Sequence, residues 1–157
     1  MRSILMVILA LFMTTTAIAD VIAVIGTGRV GSALGTEFAG QGHTIVYGSR
    51  DPSAATVREL VDRTAGDASA TTQSEAVVGA DIVILAVPGM LARDIAGNLG
   101  ELSGKIIIDP TNPLLFGDNG VAHGVDTSNA EIIQSVAPGA YVVKAFNVLS
   151  WQFMIDP

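Results

Sequence analysis

Short runs rich in apolar residues alternate with segments of helical periodicity along the chain. Runs of this kind, bounded by polar residues or glycine, are typical of strands buried on both faces of a parallel sheet. The predicted strands are 21–25, 44–47, 68–72, 82–88, 105–108 and 141–144. Helical periodicity predicts helices over 53–64, 73–78, 90–99 and 129–136, and one through Ala33 and Phe38 that stops at Gly40 and Gly42.

This alternation predicts an α/β fold, a Rossmann-type doubly wound parallel sheet of about six strands with helices on both faces. The expected strand order is 3-2-1-4-5-6, with right-handed crossovers. Residues 20–157 are expected to form one domain. Within it, 114–126 is predicted to be a glycine-rich loop, and its His123 is either an ordinary solvated histidine or a substrate contact.

A glycine motif joins the first predicted strand to the helix after it. Residues 26–31, GTGRVG, fit the pattern G-x-G-x-x-G. In this pattern the first glycine permits a tight turn, the second lets the backbone approach a pyrophosphate, and the third lets the helix pack close to the strand. Because strand, motif, helix and strand form one βαβ unit of about thirty residues, dinucleotide binding is favoured over a merely structural turn.

The end of the second predicted strand bears on which dinucleotide is bound. An NAD site places Asp or Glu there to bind the ribose 2′-hydroxyl, whereas this chain has Gly48-Ser49-Arg50. A hydroxyl and a guanidinium suit a 2′-phosphate, so NADP is predicted, with a solvated Arg50 as the alternative. Asp51 is expected to cap the next helix, with Pro52 at its first position.

Polar or proline residues also follow two later strands, at the edge where ligands bind in such sheets. Ala86, Val87 and Pro88 end the most apolar run after the N-terminal segment and are predicted to lie under the nicotinamide, although core packing explains Ala86 equally well. Thr111 and Asn112 follow the next strand. They are candidates to bind the ribose or carboxamide, or they only cap the turn.

The amino-acid composition argues against several classes of function. The formal net charge of −7 argues against non-specific binding to nucleic acid or to anionic membranes. There is no cysteine and there are two histidines, so thiolate metal sites are excluded and no metal site is predicted. No His–carboxylate or Ser–His constellation stands beside the glycine motif, and no catalytic side chain is predicted.

The N-terminal residues 1–19 have the pattern of a secretory signal peptide. Arg2 precedes an apolar run over 4–13, and Ala17-Ile18-Ala19 fits an A-x-A cleavage site. Since this run is too short to span a bilayer, the mature chain is predicted to begin at Asp20 and to be secreted or periplasmic. An uncleaved anchor and a mis-set start codon, which would leave the protein cytoplasmic, are the alternatives. Export would separate the protein from the cytoplasmic supply of NADP(H).

Five segments in the same order resemble the NADP oxidoreductases that use the deazaflavin coenzyme F420: VIGTGRVGSALG, YGSRDP, ADIVILAVP, IIIDPTNPL and SNAEIIQSVAPGAYVVKAFN. The segment KAFNVLSW is also similar to the cytosolic oxidoreductase domain of the STEAP metalloreductases, in which NADPH reduces a flavin. The resemblance extends from Val21 to about Trp151. It implies NADP(H) as cofactor and a flavin or deazaflavin as the small-molecule hydride acceptor.

The resemblance also implies roles for individual residues. It places residues 27–30 around the pyrophosphate, Ser49 and Arg50 at the 2′-phosphate, and Val87 and Pro88 beside the nicotinamide, with Asn112 and Asn147 at the edge of the acceptor pocket. The full set of predicted cofactor-binding residues is Gly26, Thr27, Gly28, Arg29, Val30, Gly31, Ser49, Arg50, Ala86, Val87, Pro88, Asn112 and Asn147.

The expected activity is hydride transfer between NADPH and a flavin or deazaflavin, by an NADP-dependent oxidoreductase. Such a transfer relies on alignment and water exclusion and needs no acidic or basic side chain. A non-catalytic nucleotide-binding module and a reductase of small imines or carbonyls are the alternatives. The expected partner is a small-molecule acceptor, with neither nucleic acid nor, for the mature form, a membrane, and a homodimer is the candidate assembly.

Overall fold

The computed structural model describes residues 19–116, 122–123 and 126–155. The strands are β1 (Val21–Ile25), β2 (Thr44–Ser49), β3 (Ala68–Thr72), β4 (Ile82–Leu85), β5 (Ile106–Asp109), β6 (Leu115–Phe116), β7 (Ala122–His123) and β8 (Tyr141–Lys144). The α-helices are α1 (Arg29–Gly40), α2 (Ala55–Arg63), α3 (Gln73–Ala76), α4 (Ala92–Gly97) and α5 (Asn129–Val136). Two 3₁₀ helices span Gly89–Leu91 and Trp151–Phe153.

Six of the strands form one parallel sheet in the order β3-β2-β1-β4-β5-β8. This confirms the α/β class and the predicted order 3-2-1-4-5-6. The order reverses at β1, where Ile22 pairs with Ile45 of β2 on one side and with Ile82 of β4 on the other. Ligands of open α/β sheets bind at the carboxyl ends of the strands beside such a reversal.

The two faces of the sheet carry separate hydrophobic cores. Side chains of successive strand residues point to opposite faces, so Ile22 and Val24 belong to one core and Ala23 and Ile25 to the other. The first core includes Leu34 of α1 and the second includes residues of the helices on the other face. Since residues 22–25 of β1 are fully buried, the uninterrupted apolar sequence of this strand follows from the fold.

Several predicted boundaries agree with the structure. The strands at 21–25, 68–72 and 141–144 and the helix at 129–136 have the predicted bounds. Ser128 caps α5: its hydroxyl accepts a hydrogen bond from the Glu131 N–H (3.2 Å), and the Glu131 carboxylate accepts one from the Ser128 N–H (2.9 Å). This reciprocal arrangement is a capping box.

Other predicted elements change length at the site edge of the sheet. The second strand continues to Ser49, because Gly48 and Ser49 pair with Thr71 and Thr72 of β3. The run predicted as a strand over 82–88 ends at Leu85, which leaves 86–88 as a connection. The helix predicted over 90–99 is a 3₁₀ turn followed by the shorter α4.

The prediction that Asp51 caps α2 was wrong. The helix begins at Ala55 after Ala54, whose side chain makes no cap. Instead the Asp51 carboxylate accepts hydrogen bonds from the Ser53 N–H (3.0 Å) and hydroxyl (2.6 Å). These local bonds form an Asx-type turn, so Pro52 lies in this turn and not at the first helical position.

The 114–126 segment is not wholly a loop as predicted, because it contains the antiparallel pair β6 and β7, with Leu115 opposite His123. Apolar residues on either side of a glycine-rich stretch suit such a pair. Residues 117–121 and 124–125 lie outside the described residues, as does the predicted signal peptide up to residue 18. In the described part of the chain, no helix has the length and apolar character needed to cross a membrane.

Candidate functional site

The turn after β1 is closed by two glycines that have no room for a side chain. Gly26 has φ +103°, a conformation that favours glycine. A Cβ at Gly26 would lie 2.3 Å from the Ala86 carbonyl oxygen, and a Cβ at Gly31 would lie 1.9 Å from the Gly26 carbonyl oxygen. Because neither glycine carries a Cβ, the start of α1 lies directly against the ends of β1 and β4.

Gly28 differs from its two neighbours in the motif. It has φ −75° and ψ −167°, which other residues also adopt, and a Cβ there would meet no atom within 4 Å. The protein itself therefore does not require glycine at this position. Open space remains beside the backbone at the position where the motif predicts that a pyrophosphate approaches.

The N-terminus of α1 faces this open space without a side-chain cap. Gly28 is the N-cap residue and makes no side-chain hydrogen bond, and the first turn holds no acidic residue. The first helical bond is donated by the Ser32 N–H to the Gly28 carbonyl (2.8 Å). The preceding N–H groups are those that a helix leaves unpaired, and with the helix dipole they favour an anion.

A cavity of about 620 Å³ runs along the carboxyl ends of β1, β2 and β4. It brings together most of the predicted residues from three separate parts of the sequence: Gly26, Thr27, Gly28, Ser49, Arg50, Ala86, Val87 and Pro88. Ala54, Val57, Leu91 and Ile95 add an apolar wall at one end. A cavity of this size lies in the range of ligand and cofactor sites.

The end of the cavity at β2 has the chemistry expected for a phosphate. Ser49 is largely buried, and its hydroxyl oxygen accepts a hydrogen bond from the Asp51 N–H (3.2 Å), which leaves the hydroxyl proton available to a ligand. Arg50 is exposed at the rim and has no ion-pair partner among the described residues. Asp51 also lines this cavity. Its carboxylate accepts a hydrogen bond from the Ser53 hydroxyl, which holds the pKa of Asp51 below its ordinary value and favours the charged form.

A second cavity, of about 300 Å³, continues from the first past Gly28 and Val87. Arg29, Val30, Pro110 and Thr111 line its far side. Of the predicted residues, Arg29 and Val30 thus face this second cavity, and Gly31 is buried beneath the turn. The two cavities form one path across the reversal point, from Arg50 at one end to Thr111 at the other.

Asn112 and Asn147 line neither cavity. They pair with each other: the Asn112 amide donates to the Asn147 carbonyl (2.8 Å), and the Asn147 amide donates to the Asn112 side-chain oxygen (3.2 Å). This pair ties the segment after β5 to the segment after β8, next to Phe146, which has φ +65°. A contact of either asparagine with a hydride acceptor stays a prediction.

A buried polar network beneath the second cavity was missed by sequence reasoning. Asp109 is fully buried, and its carboxylate accepts hydrogen bonds from the Lys144 ammonium (2.8 Å) and from the N–H (2.9 Å) and hydroxyl (2.7 Å) of Thr111. Lys144 also donates to the Thr111 carbonyl. The Thr111 hydroxyl accepts from Asn129, which donates as well to the Gly89 carbonyl. The Thr111 side chain is therefore used within the protein and fixes the wall of the cavity.

A sequence signal for this network existed. Asp109 and Lys144 each end an otherwise apolar strand, and the two positions are register partners in adjacent parallel strands. Since a buried charge needs a partner, opposite charges at the ends of two neighbouring strands indicate an ion pair. No cluster of three or more His, Asp or Glu residues that would hold a metal ion is found in the described residues.

Comparison with known proteins places the chain in a family. Residues 21–113 match the family model described as NADP oxidoreductase, coenzyme F420-dependent. Rat metalloreductase STEAP3 is 33% identical over 141 residues, which cover 87% of this chain and 26% of that protein. The F420-dependent NADP reductase of Methanothermobacter marburgensis is 30% identical over 144 residues, which cover 83% of this chain and 64% of the reductase.

A solved structure agrees with the fold and the family. The crystal structure of a provisionally named F420-dependent NADP reductase from Arthrobacter sp. FB24 superposes with a TM-score of 0.80 at 30% identity, over 88% of this chain and 67% of that one. The chain thus spans less than two thirds of the curated relatives that it matches. The chain belongs to the coenzyme F420-dependent family of NADP oxidoreductases, whose model it matches from β1 to the segment after β5.

Proposed function

We propose that this domain binds NADPH along the two joined cavities and transfers hydride from it to a flavin or deazaflavin. The observation that carries the proposal is the open space at Gly28 beside the uncapped start of α1. It lies between a Ser–Arg pair that suits a phosphate and the second cavity. Membership of the NADP oxidoreductase family supports the choice of cofactor.

The residues present fit three parts of NADPH: the pyrophosphate, the 2′-phosphate and the nicotinamide. The backbone N–H groups of 29–31 would hold the pyrophosphate, because these N–H groups precede the first helical bond. Ser49 and Arg50 would hold the 2′-phosphate through charge-assisted hydrogen bonds. Val87 and Pro88 would lie against the nicotinamide where the first cavity meets the second.

When bound, NADPH supplies a hydride from C4 of its dihydronicotinamide, and the acceptor takes up that hydride together with a proton from solvent. The protein's part is alignment and exclusion of water. Ala86, Val87 and Pro110 give the second cavity an apolar lining. Thr111 is held in place by Asp109, so the wall opposite the glycine turn is fixed.

The acceptor half of the proposal is tested by turnover. The purified chain is mixed with NADPH and an excess of flavin or deazaflavin under anaerobic conditions, and loss of the reduced-nicotinamide absorbance is followed. We expect oxidation of NADPH that depends on both the protein and the acceptor, and a slower reaction with NADH. Tight NADPH binding without turnover with any acceptor would instead support a non-catalytic binding module.

The apolar N-terminal residues 1–19 support a separate proposal, that the chain is exported and cleaved after Ala19. The intact mass of the protein isolated from its native host tests this. A mass that corresponds to residues 20–157 agrees with export, and a mass that still includes residues 1–19 contradicts it.

A further inference from the structure

A single buried amide joins two segments that wall the second cavity. The segment after β4 contributes Val87 to this cavity, and the segment after β5 contributes Pro110 and Thr111. Asn129, the first residue of α5, is 3% exposed. Its side-chain nitrogen donates to the Gly89 carbonyl (3.0 Å) in the first segment and to the Thr111 hydroxyl (2.6 Å) in the second. The amide therefore holds the two segments at a fixed separation.

Both partners of the Asn129 side chain require a hydrogen-bond donor. The Gly89 carbonyl can only accept, and the Thr111 hydroxyl already donates its proton to the Asp109 carboxylate (2.7 Å). The NH₂ group of an amide has two donors and satisfies both partners at once. A carboxylate of the same size at this position would instead place an acceptor against two acceptors, so Asn129→Asp is a sharp probe of the contact.

The two segments also touch each other at Gly89. A Cβ at this position would lie 2.0 Å from the Asn112 carbonyl oxygen and 3.0 Å from the Asn129 side-chain nitrogen. Gly89 directly follows Pro88, and Asn112 directly follows Thr111. Because close-packed groups transmit a displacement to their neighbours, a shift of the Asn129 amide would move the walls on both sides of the cavity.

We propose that Asn129 is a positioning residue, whose amide sets the separation of the walls that hold the nicotinamide against the acceptor ring. The inference rests on the proposed function and extends it to a residue that lines neither of the two joined cavities. Hydride transfer needs the reacting atoms about 3–3.5 Å apart, and a misplacement of about 1 Å costs about a hundredfold in rate. The phosphates of NADPH are placed elsewhere, at the start of α1 and at Ser49 and Arg50, so the affinity for NADPH should not depend on Asn129.

Single-turnover oxidation of NADPH by an excess of FMN or of a 5-deazaflavin tests this in Asn129→Asp and Asn129→Ser. The rate constant should fall about tenfold to about a hundredfold in Asn129→Asp. It should fall by a smaller factor in Asn129→Ser, because a hydroxyl donates one hydrogen bond where the amide donates two. The Kd of NADPH, measured by calorimetry, should stay within about twofold in both variants, since only alignment is lost. If Asn129→Asp does not fold, the milder Asn129→Ser decides the test.

Gln134→Glu is the matched control, because it makes the same change of amide to acid on the same helix. The Gln134 side-chain nitrogen donates to the Ala137 carbonyl (3.1 Å) and the Ala140 carbonyl (3.0 Å), and Gln134 lines neither of the joined cavities. This variant should lower the thermal stability and leave the rate constant within about twofold of the wild type.

The fluorescence of bound NADPH gives a second measurement, which needs no turnover. It arises from the reduced nicotinamide and increases when the protein immobilises this ring and excludes water from it. At saturating protein, the emission should be weaker in both Asn129 variants than in the wild type, and unchanged in Gln134→Glu.

An unchanged rate constant and unchanged emission in both Asn129 variants would overturn the inference and leave the proposed function intact. A rise in the Kd of NADPH that matches the loss of rate would also overturn it, because Asn129 would then support binding and not alignment. An equal loss of rate in Gln134→Glu would attribute the effect to stability alone. If the wild type bound NADPH and reduced no acceptor, the proposed function would fail, and the emission of the variants would still decide whether Asn129 positions the walls around the nicotinamide.

Discussion

Replacing Gly28 with valine should abolish nucleotide binding while the protein remains folded. A Cβ at this position meets no protein atom within 4 Å, and the backbone angles there are open to other residues. Glycine at a helix N-cap is preferred to valine, so we expect the free energy of unfolding to fall by no more than about 1 kcal/mol. The added methyl groups would occupy the space proposed for the pyrophosphate.

The effect on binding is expected to be much larger. A displaced pyrophosphate loses at least one hydrogen bond between a backbone N–H and a charged oxygen, worth about 1.5–3 kcal/mol. At about 1.4 kcal/mol per tenfold change, the loss of one or two such bonds raises the Kd for NADPH by about tenfold to about ten-thousandfold. Isothermal titration calorimetry measures the Kd, and thermal unfolding measures the stability of the same samples.

Gly31→Ala is the matched control, because there a single Cβ would lie 1.9 Å from the Gly26 carbonyl oxygen. The helix must move away from the strand, so this variant should lose about 1–3 kcal/mol of stability, as for other overpacked sites. The Gly28 variant therefore tests nucleotide binding, and the Gly31 variant tests the packing of the helix on the strand. If Gly28→Val bound NADPH as tightly as the wild type, the turn would be structural only and the reasoning would be refuted.

Two further predictions concern the frame around the site. Lys144→Met should lower the free energy of unfolding by about 2 kcal/mol. This is less than the usual cost of breaking a buried ion pair, because the Lys144 side chain is partly exposed to solvent. A double-mutant cycle with Asp109→Asn should show coupling between the two residues, and additive losses of stability would contradict the prediction. Hydrogen bonds from the Ser128 N–H and then the Thr127 hydroxyl hold the pKa of Glu131 below its ordinary value. The stability that these hydrogen bonds give is therefore present above the unfolded pKa of about 4.3 and is lost as the pH falls through the folded pKa. The free energy of unfolding of Glu131→Gln, measured with urea, should therefore differ from that of the wild type at neutral pH, and the two values should converge in acid.

The sheet was predictable because the pattern of apolar residues and glycines along the chain matches the burial and the close packing of those residues in the fold. The apolar residues of β1 and the glycines at 26 and 31 leave few other structures for that segment, and Ser128 with Glu131 forms a cap through contacts three residues apart. The site residues that were brought together, such as Ser49 and Val87, follow strands whose carboxyl ends share one edge. Strand order alone places them near one another.

The features that the sequence did not predict depend on side chains that have several possible hydrogen-bond partners. Asp51 was equally suited to cap a helix or to close its own turn, and the contact with Ser53 decided between them. Asn112 and Asn147 are far apart in the chain, and their mutual hydrogen bonds follow from the exact spacing of β5 and β8. Arg29 and Val30 belong to the glycine motif, yet they line the second cavity and not the larger one that Gly26 and Thr27 line.

The central claim, a dinucleotide whose 2′-phosphate lies at Arg50, is tested most directly by calorimetric titration of NADP⁺ and NAD⁺ into the wild type, Arg50→Ala and the control Arg63→Ala. Arg63 is exposed near the end of α2 and lines none of the described cavities. We predict that Arg50→Ala raises the Kd of NADP⁺ by about tenfold or more, as for one charged hydrogen bond, while the Kd of NAD⁺ stays within about twofold and Arg63→Ala changes neither. Equal losses for both nucleotides in Arg50→Ala, or no binding of either by the wild type, would contradict the account.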